Sequence, residues 1–124
     1  MKKLLVILLI FCNINIISQS LNDLSFGSSD NLDVITWNLE LFPRNGQLTL
    51  NHLTTAIIAL DVDIIAVQEI SDTTAFINLL GQLNGYSGCF GGSDLRLAFI
   101  YKSSLLVNSI DTILNNYSFE FDSR

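Results

Sequence analysis

The chain has 124 residues, with twelve Asp and Glu against six Lys and Arg, a net charge of −6 and 49% hydrophobic residues. That length allows one domain at most, and the apolar content excludes an intrinsically disordered chain. No stretch after the first twenty residues approaches the roughly 18 apolar residues of a membrane-spanning helix, so we expect no integral membrane segment in the mature protein.

The N-terminal segment has the pattern of a secretory signal peptide. A short basic start precedes an unbroken apolar run from Leu4 to Cys12, and Ser18 and Ser20 place small residues just before a cleavage site. We therefore expect residues 1–20 to be removed and the protein to be secreted, to a periplasmic or extracellular location. The mature chain would keep 104 residues, with four basic against twelve acidic side chains and a net charge of −8.

The two cysteines bear on the same question. Cys12 follows an apolar run, so a lipoprotein is the alternative, although Phe11 is bulky where a lipoprotein cleavage site needs a small residue. If Cys12 leaves with the signal peptide, Cys89 has no partner for an intrachain disulfide.

The first half of the mature chain has the pattern strand, helix, strand. Short β-branched runs predict the strands, and leucine and isoleucine at helical spacing predict the helix, which Thr49 is placed to cap. In chain order we predict a flexible lead-in at residues 21–32, a strand from Val34 to Trp37 ending at Asn38, a turn at residues 43–46, a helix with its apolar stripe between Leu50 and Leu60, and a strand from Val62 to Val67 ending at Gln68 and Glu69.

The second half begins with another helix and continues with strands. Asp72 suits the start of the helix, Gly81 weakens it by about 1 kcal/mol relative to Ala, and Gly85 suits its exit. We predict the helix stripe at Phe76, Leu79, Leu80 and Leu83, a strand from Leu95 to Tyr101, a further strand within Leu105 to Leu114, and the start of another between Tyr117 and Phe121.

A strand, a helix and a strand joined by short connections imply two parallel neighbouring strands. Both strands then direct their carboxyl ends to one edge of the sheet, which is where ligands bind in open α/β sheets. Asn38 and Glu40 follow the first strand, and Gln68 and Glu69 follow the second. We therefore expect these side chains to lie near one another.

Glu69 is an unusual residue at the end of so apolar a strand. An ionised carboxylate is costly to hold near a low-dielectric sheet edge unless it is paired or binds a metal. A hard cation such as Mg²⁺ would suit it, held together with substrate phosphate oxygens, and the amide of Asn38 could donate to such an oxygen. The pattern alone leaves a structural interpretation open, in which both residues are turn formers at a solvated rim.

Three segments together carry a resemblance to a known family. The three segments are VITWNLE at residues 34–40, directly after Asp33, DIIAVQE at residues 63–69 and RLAFIYK at residues 96–102. In this order and spacing they resemble the "TWN", "DIIxxQE" and "RxAxxY" segments of the endonuclease/exonuclease/phosphatase superfamily, the deoxyribonuclease I-like fold. The resemblance spans residues 33–124. It implies an α/β fold, the N-terminal half of a four-layer α/β/β/α sandwich whose mixed sheet begins with a β-α-β unit.

The resemblance also implies roles for individual residues. Glu69 matches the glutamate that holds the catalytic Mg²⁺ (or Mn²⁺), and Asn38 matches the catalytic asparagine that places the metal-bound phosphate. Arg124 matches an arginine near the substrate. The implied activity is metal-dependent hydrolysis of a phosphodiester or phosphomonoester by an activated water, as in a secreted nuclease or phosphatase.

The second half of the family's active site is missing from this sequence. Its Asp-x-Asn and Asp-His elements would come after Arg124, so we expect this 124-residue chain to be a truncated and inactive form. We also expect the sheet face that the missing half would cover to be apolar and exposed. His52 and the glycines at 91 and 92 do not replace those elements, since they suit a helix surface and a hairpin connection.

Other functions remain open from the sequence. A non-catalytic secreted binding module on the same scaffold is the alternative to an enzyme. The phosphate-ester substrate of an enzyme could be a nucleic acid, a nucleotide or a lipid headgroup. Non-specific nucleic-acid binding depends on Lys and Arg, and a mature charge of −8 argues against a duplex-binding role.

Overall fold

Strands and helices alternate along the chain before a final antiparallel hairpin. The computed structural model describes residues 20–91 and 94–110. The elements are a 3-10 helix at Leu21–Asp23, β1 at Val34–Phe42, α1 at Gln47–Leu60, β2 at Ile64–Ile70, α2 at Thr73–Gln82, β3 at Tyr86–Gly91 and β4 at Asp94–Lys102. The predicted signal peptide lies outside the described residues, apart from Ser20.

The four strands form one mixed sheet in the order β1-β2-β4-β3. β1 and β2 are parallel, with Val34 opposite Ile64, while β4 runs antiparallel to both β2 and β3. The predicted α/β class and the predicted β-α-β unit with parallel strands are therefore confirmed. The four-layer arrangement stays a prediction.

Both helices contribute to one apolar core on one face of the sheet. Every second residue of the central strands enters it, because side chains alternate between the two faces of a strand. The buried core comprises Ile65, Val67 and Ile70 of β2, Ala98 and Ile100 of β4, Leu50, Leu53 and Ile57 of α1, and Ala75, Phe76 and Leu79 of α2, together with Phe42, Val62 and Leu83.

The two helices begin in different ways. At α2, the Asp72 carboxylate accepts a hydrogen bond from Ala75 N at 3.0 Å, which confirms the predicted start. At α1 the prediction of Thr49 as the cap is wrong, because the helix begins earlier and Gly46 is its N-cap. The Thr49 hydroxyl instead accepts from Asn45 N, which ties the preceding turn to the first turn of the helix.

Several strand boundaries differ from the predictions. β1 continues past Asn38 as far as Phe42. β3 was not predicted, because its two glycines and lack of a clear apolar alternation hide a strand that forms by pairing with β4. Residues 105–110 form no strand, and the rest of the predicted Leu105 to Leu114 strand, like the one at Tyr117 to Phe121, lies outside the described residues.

The sheet face away from the helices is exposed, as expected. In the central rows of this face Thr36 lies beside Ala66, and Ala66 lies beside Phe99. Phe99 is 41% exposed, although Ala98 and Ile100 on either side of it are buried, and Val34 of β1 is 53% exposed. The core is therefore one-sided, and the second face of the sheet keeps an apolar character.

Candidate functional site

Asn38 and Glu69 meet at the carboxyl ends of the two parallel strands. Asn38 lies opposite Gln68 in the β1–β2 register, one residue before Glu69. The Asn38 side-chain Nδ2 donates a hydrogen bond to Glu69 Oε1 at 2.9 Å. The structure thus brings together two residues that are 31 positions apart in sequence and were expected to share this edge.

A local irregularity of β1 completes the contact. Between Asn38 and Phe42 the pairing register shifts, so that β1 contains extra residues relative to β2. Glu40 and Leu41 lie in this insertion with φ of 45° and 57°, and Glu69 on the neighbouring strand has φ of 61°. Left-handed backbone costs a residue with a Cβ roughly 1 kcal/mol or more, and such residues concentrate at functional sites.

The inserted residues turn their N–H groups toward the Asn38–Glu69 pair. Glu40 N donates to Asn38 Oδ1 at 2.8 Å, and Leu41 N donates to Glu69 Oε2 at 3.3 Å. The first bond leaves the amide of Asn38 with its nitrogen directed at Glu69. Each oxygen of Glu69 accepts one hydrogen bond and keeps a second lone pair for another partner.

The side chains next to this pair have other partners. The Glu40 carboxylate forms an ion pair with Arg44, and both side chains are largely exposed, at 71% and 61%. Glu40 is thus a solvated rim residue. Gln68 donates from Nε2 to Thr36 Oγ1 and to Ala66 O, each at 3.0 Å. These two bonds direct the Gln68 side chain along the open face of the sheet and not toward Glu69.

The donor set fits a metal ion that is shared with a substrate. Within residues 20–91 and 94–110 there is no group of three or more His, Cys, Asp or Glu side chains that could hold a metal. Mg²⁺, however, is commonly bound by one or two carboxylates, with water and substrate phosphate oxygens as its other ligands. Glu69 offers one half-buried carboxylate of this kind, so the residues fit a weak, substrate-assisted site and not a closed protein cage.

The other candidate residues are not brought to this edge. Arg124 lies outside the described residues. His52 is exposed on α1, as expected, beside an apolar pocket that Trp37 and Leu53 help to line. Trp37 is partly buried and packs against the core. Gly91 ends β3, and the two residues that follow it lie outside the described part of the chain.

Sequence reasoning missed a charged cluster at the opposite edge of the sheet. Lys102 Nζ lies 3.1 Å from Asp61 Oδ1 and 3.2 Å from Asp63 Oδ1, and Asp63 Oδ2 accepts from Asp33 N at 2.8 Å. The hydrogen bond from the Asp33 backbone, helped by the Lys102 ammonium, holds the pKa of Asp63 below its ordinary value. The antiparallel pairing of Ile64 with Tyr101 predicts this contact, but that register is not visible in the sequence.

Leu41 and Arg44 were also missed at the site itself. The contribution of Leu41 is a backbone N–H, which no side-chain motif announces. Arg44 lies in a turn and reaches back by four residues to Glu40. Four-residue spacing of opposite charges was the one signal that could have indicated this pair.

Two further findings bear on what the chain is. Over the part of the chain that the structure describes, every helix is too short or too polar to cross a bilayer, in line with the expected lack of a membrane segment in the mature chain. Comparisons of the sequence and structure with protein-family models, with curated proteins and with solved structures find no match.

Proposed function

We propose that the described residues are the first part of a metal-dependent phosphoesterase domain, with Glu69 as a metal ligand and Asn38 as a phosphate-contacting residue. One observation carries the proposal. The Asn38 Nδ2 to Glu69 Oε1 hydrogen bond, 2.9 Å long, joins the two residues that the family resemblance singles out, at the sheet edge where α/β proteins bind ligands.

The side chains of this pair have suitable chemistry for a phosphate ester. The nitrogen of Asn38 carries two hydrogens, and one suffices for the bond to Glu69. The other can donate to a phosphate oxygen placed beside the carboxylate. The bond from Glu40 N to Asn38 Oδ1 maintains this orientation, so the amide presents a donor and not an acceptor to an anion.

A bound Mg²⁺ would supply Lewis-acid stabilisation of the charge that develops on the phosphate and on the leaving oxygen. The protein's own part is to hold Glu69 in place. Leu41 N fixes one carboxylate oxygen and Asn38 fixes the other, which orients the carboxylate before any ligand arrives.

The charge of the chain favours a substrate smaller than duplex DNA. Lys102 is engaged with two aspartates at the opposite edge of the sheet, and Arg44 is paired with Glu40. Binding to a nucleic-acid backbone depends on several Lys and Arg contacts to phosphates. We therefore favour a nucleotide, a lipid headgroup or another small phosphate ester whose charge is bridged by the metal.

The proposal is tested by metal binding to the 124-residue chain. Mg²⁺ is titrated while NMR follows the Asn38 side-chain amide and the Leu41 backbone amide, with and without inorganic phosphate. We expect both signals to shift, and we expect phosphate to tighten Mg²⁺ binding because a ligand shared between two partners couples their affinities.

Glu69→Gln should weaken Mg²⁺ binding by about tenfold or more, since it removes the charged ligand. Glu40→Gln is the matched control, because it removes a carboxylate two residues from Asn38 that contacts Arg44 instead of Glu69. Equal Mg²⁺ affinity in the wild-type and Glu69→Gln proteins would remove Glu69 from the site and with it the proposed activity.

A further inference from the structure

Leu41 combines two features that are each unfavourable for a leucine. Its φ of 57° is left-handed, a conformation that costs a residue with a Cβ roughly 1 kcal/mol or more. Its side chain is also 63% exposed to solvent. Within the part of the chain that the structure describes, the other non-glycine residues with left-handed φ are the acidic residues Glu40, Asp61 and Glu69. Among the described residues, Leu41 is therefore the one apolar side chain that such a backbone presents to water.

The hydrogen bond between Leu41 and Glu69 does not explain the leucine side chain. The bond, 3.3 Å long, uses the Leu41 backbone N–H and ends on Glu69 Oε2. A glycine in the same place would donate the same bond with less strain, because it has no Cβ. An asparagine would also tolerate the left-handed backbone and would be hydrated when exposed. Holding the Glu69 carboxylate thus accounts for the backbone of Leu41 and leaves its side chain without a role.

The backbone around Leu41 is anchored on both sides. The next residue, Phe42, is fully buried, and its carbonyl oxygen accepts a hydrogen bond from Ser71 N at 2.9 Å. On the other side, Glu40 N donates to Asn38 Oδ1 at 2.8 Å. These contacts fix the leucine at the carboxyl end of β1, on the edge of the sheet where Asn38 lies.

The Leu41 side chain also begins close to the proposed metal ligand. The nitrogen of Leu41 is 3.3 Å from Glu69 Oε2, and the nitrogen and Cβ of one residue are about 2.5 Å apart, so the Leu41 Cβ lies within about 6 Å of that oxygen. The leucine therefore borders the place where the proposed function puts a phosphate ester.

We propose that Leu41 is a specificity-determining residue, which selects phosphate esters whose alcohol part is aliphatic. This inference rests on the proposed function, since it needs a phosphate bound beside Glu69. An exposed aliphatic side chain gains free energy when an apolar group covers it, and it offers no hydrogen bond to a sugar or a base. The site therefore favours an alkyl ester over a nucleotide or a polyhydroxylated ester.

The experiment compares two ligands of equal charge with the 124-residue chain. Butyl phosphate and glycerol 3-phosphate carry the same phosphate group, on an alkyl alcohol and on a hydroxylated alcohol. Each is titrated at one fixed Mg²⁺ concentration while NMR follows the Leu41 backbone amide and the Asn38 side-chain amide. We expect the wild-type protein to bind butyl phosphate about tenfold more tightly, which is the gain from burying about two methylene groups.

Leu41→Asn should reduce this preference to about twofold or less, because it removes the apolar side chain and keeps the backbone N–H. The preference is a ratio of two affinities, so a general loss of phosphate binding does not alter it. Leu41→Met should keep the preference, since its side chain is again apolar and adapts its shape. Ile58→Asn is the matched control, because Ile58 is an aliphatic residue of α1 that is 52% exposed outside the site. Far-UV circular dichroism verifies that each variant keeps the fold.

The possible outcomes separate this inference from the proposed function. If Mg²⁺ and inorganic phosphate bind together as proposed, but the wild-type protein binds the two esters equally, the role of Leu41 is overturned and the metal site stands. A preference that persists in Leu41→Asn would also overturn it, since another apolar surface would then be responsible. If phosphate does not tighten Mg²⁺ binding in the wild-type protein, the proposed function fails and the role of Leu41 fails with it.

Discussion

One backbone group and one side chain together orient the amide of Asn38. Its oxygen accepts from Glu40 N while its nitrogen donates to Glu69. Glu40, Leu41 and Glu69 all adopt left-handed backbone, where glycine would be less strained. Glutamate and leucine occupy these positions instead of glycine. Their strained backbone places Glu40 N where it donates to Asn38 and Leu41 N where it donates to Glu69.

The Asp63 carboxylate makes stability depend on pH at the acidic end. Its pKa is lowered in the folded protein, first by the hydrogen bond from Asp33 N and then by Lys102. A lowered folded-state pKa contributes stability above the ordinary pKa of an aspartate, and this contribution is lost as pH falls through the folded value. We expect the free energy of unfolding to fall with pH below about pH 4.

Asp63→Asn should flatten this dependence, because the amide oxygen can still accept from Asp33 N but no longer titrates. Urea unfolding of both proteins between neutral pH and about pH 3 gives the comparison. Parallel pH profiles for the two proteins would show that Asp63 is not the responsible group.

At the scale of elements, α2 and β3 approach each other closely. A Cβ on Gly88 would lie 2.7 Å from Leu80 Cδ2 and 3.0 Å from the Phe99 carbonyl oxygen. The unpredicted strand β3 therefore depends on a residue without a side chain at the point where it passes beneath the helix. Gly81, on α2 itself, has no atom within 4 Å of a Cβ built on it.

These two glycines predict opposite outcomes for the same substitution. Gly88→Ala should lower the free energy of unfolding by about 1–3 kcal/mol, because the backbone oxygen of Phe99 cannot move aside as a side chain can. Gly81→Ala should raise it by about 1 kcal/mol, because alanine is the better helix former and meets open space. Chemical denaturation measures both, and a stabilised Gly88→Ala protein would contradict the packing of β3 under α2.

At the scale of the whole molecule, one aromatic side chain connects the main layers. Phe76 of α2 is fully buried. Its ring lies edge-on to Phe42 of β1, with centroids 6.5 Å apart, and 5.2 Å from the ring of Phe90 of β3. β1 and β3 are the two outer strands of the sheet. Phe76 therefore packs α2 against aromatic side chains from both outer strands.

Phe76→Ala should cost about 3–5 kcal/mol, a large part of the 5–15 kcal/mol that stabilises a typical domain. We therefore expect the variant to unfold at a much lower temperature than the wild-type protein. Ile77→Ala is the control, since Ile77 is the next residue but is 59% exposed, and its replacement should change stability by less than about 0.5 kcal/mol. Thermal unfolding followed by circular dichroism distinguishes the two variants. A cooperative transition with an unchanged midpoint in Phe76→Ala would contradict the central role of Phe76 in the core.

The sequence by itself determined the features that depend on neighbouring residues. Periodicity located β1, α1, β2 and α2 in the right order, and the chemistry of Asp72 located the start of α2. The expectation that Asn38 and Glu69 meet followed from the rule that parallel strands end at one edge. These inferences succeed because hydrophobic spacing and capping act over a few residues.

Tertiary structure alone decided the features that depend on pairing between distant residues. β3 forms because β4 pairs with it, and β4 lies between β2 and β3 in a position that local spacing does not specify. The same holds for the Lys102 cluster and for the bond from Leu41 N to Glu69. Strand register, or a break in the register, decides each of these contacts. Register depends on how all the paired strands fit together, so no single segment of the sequence specifies it.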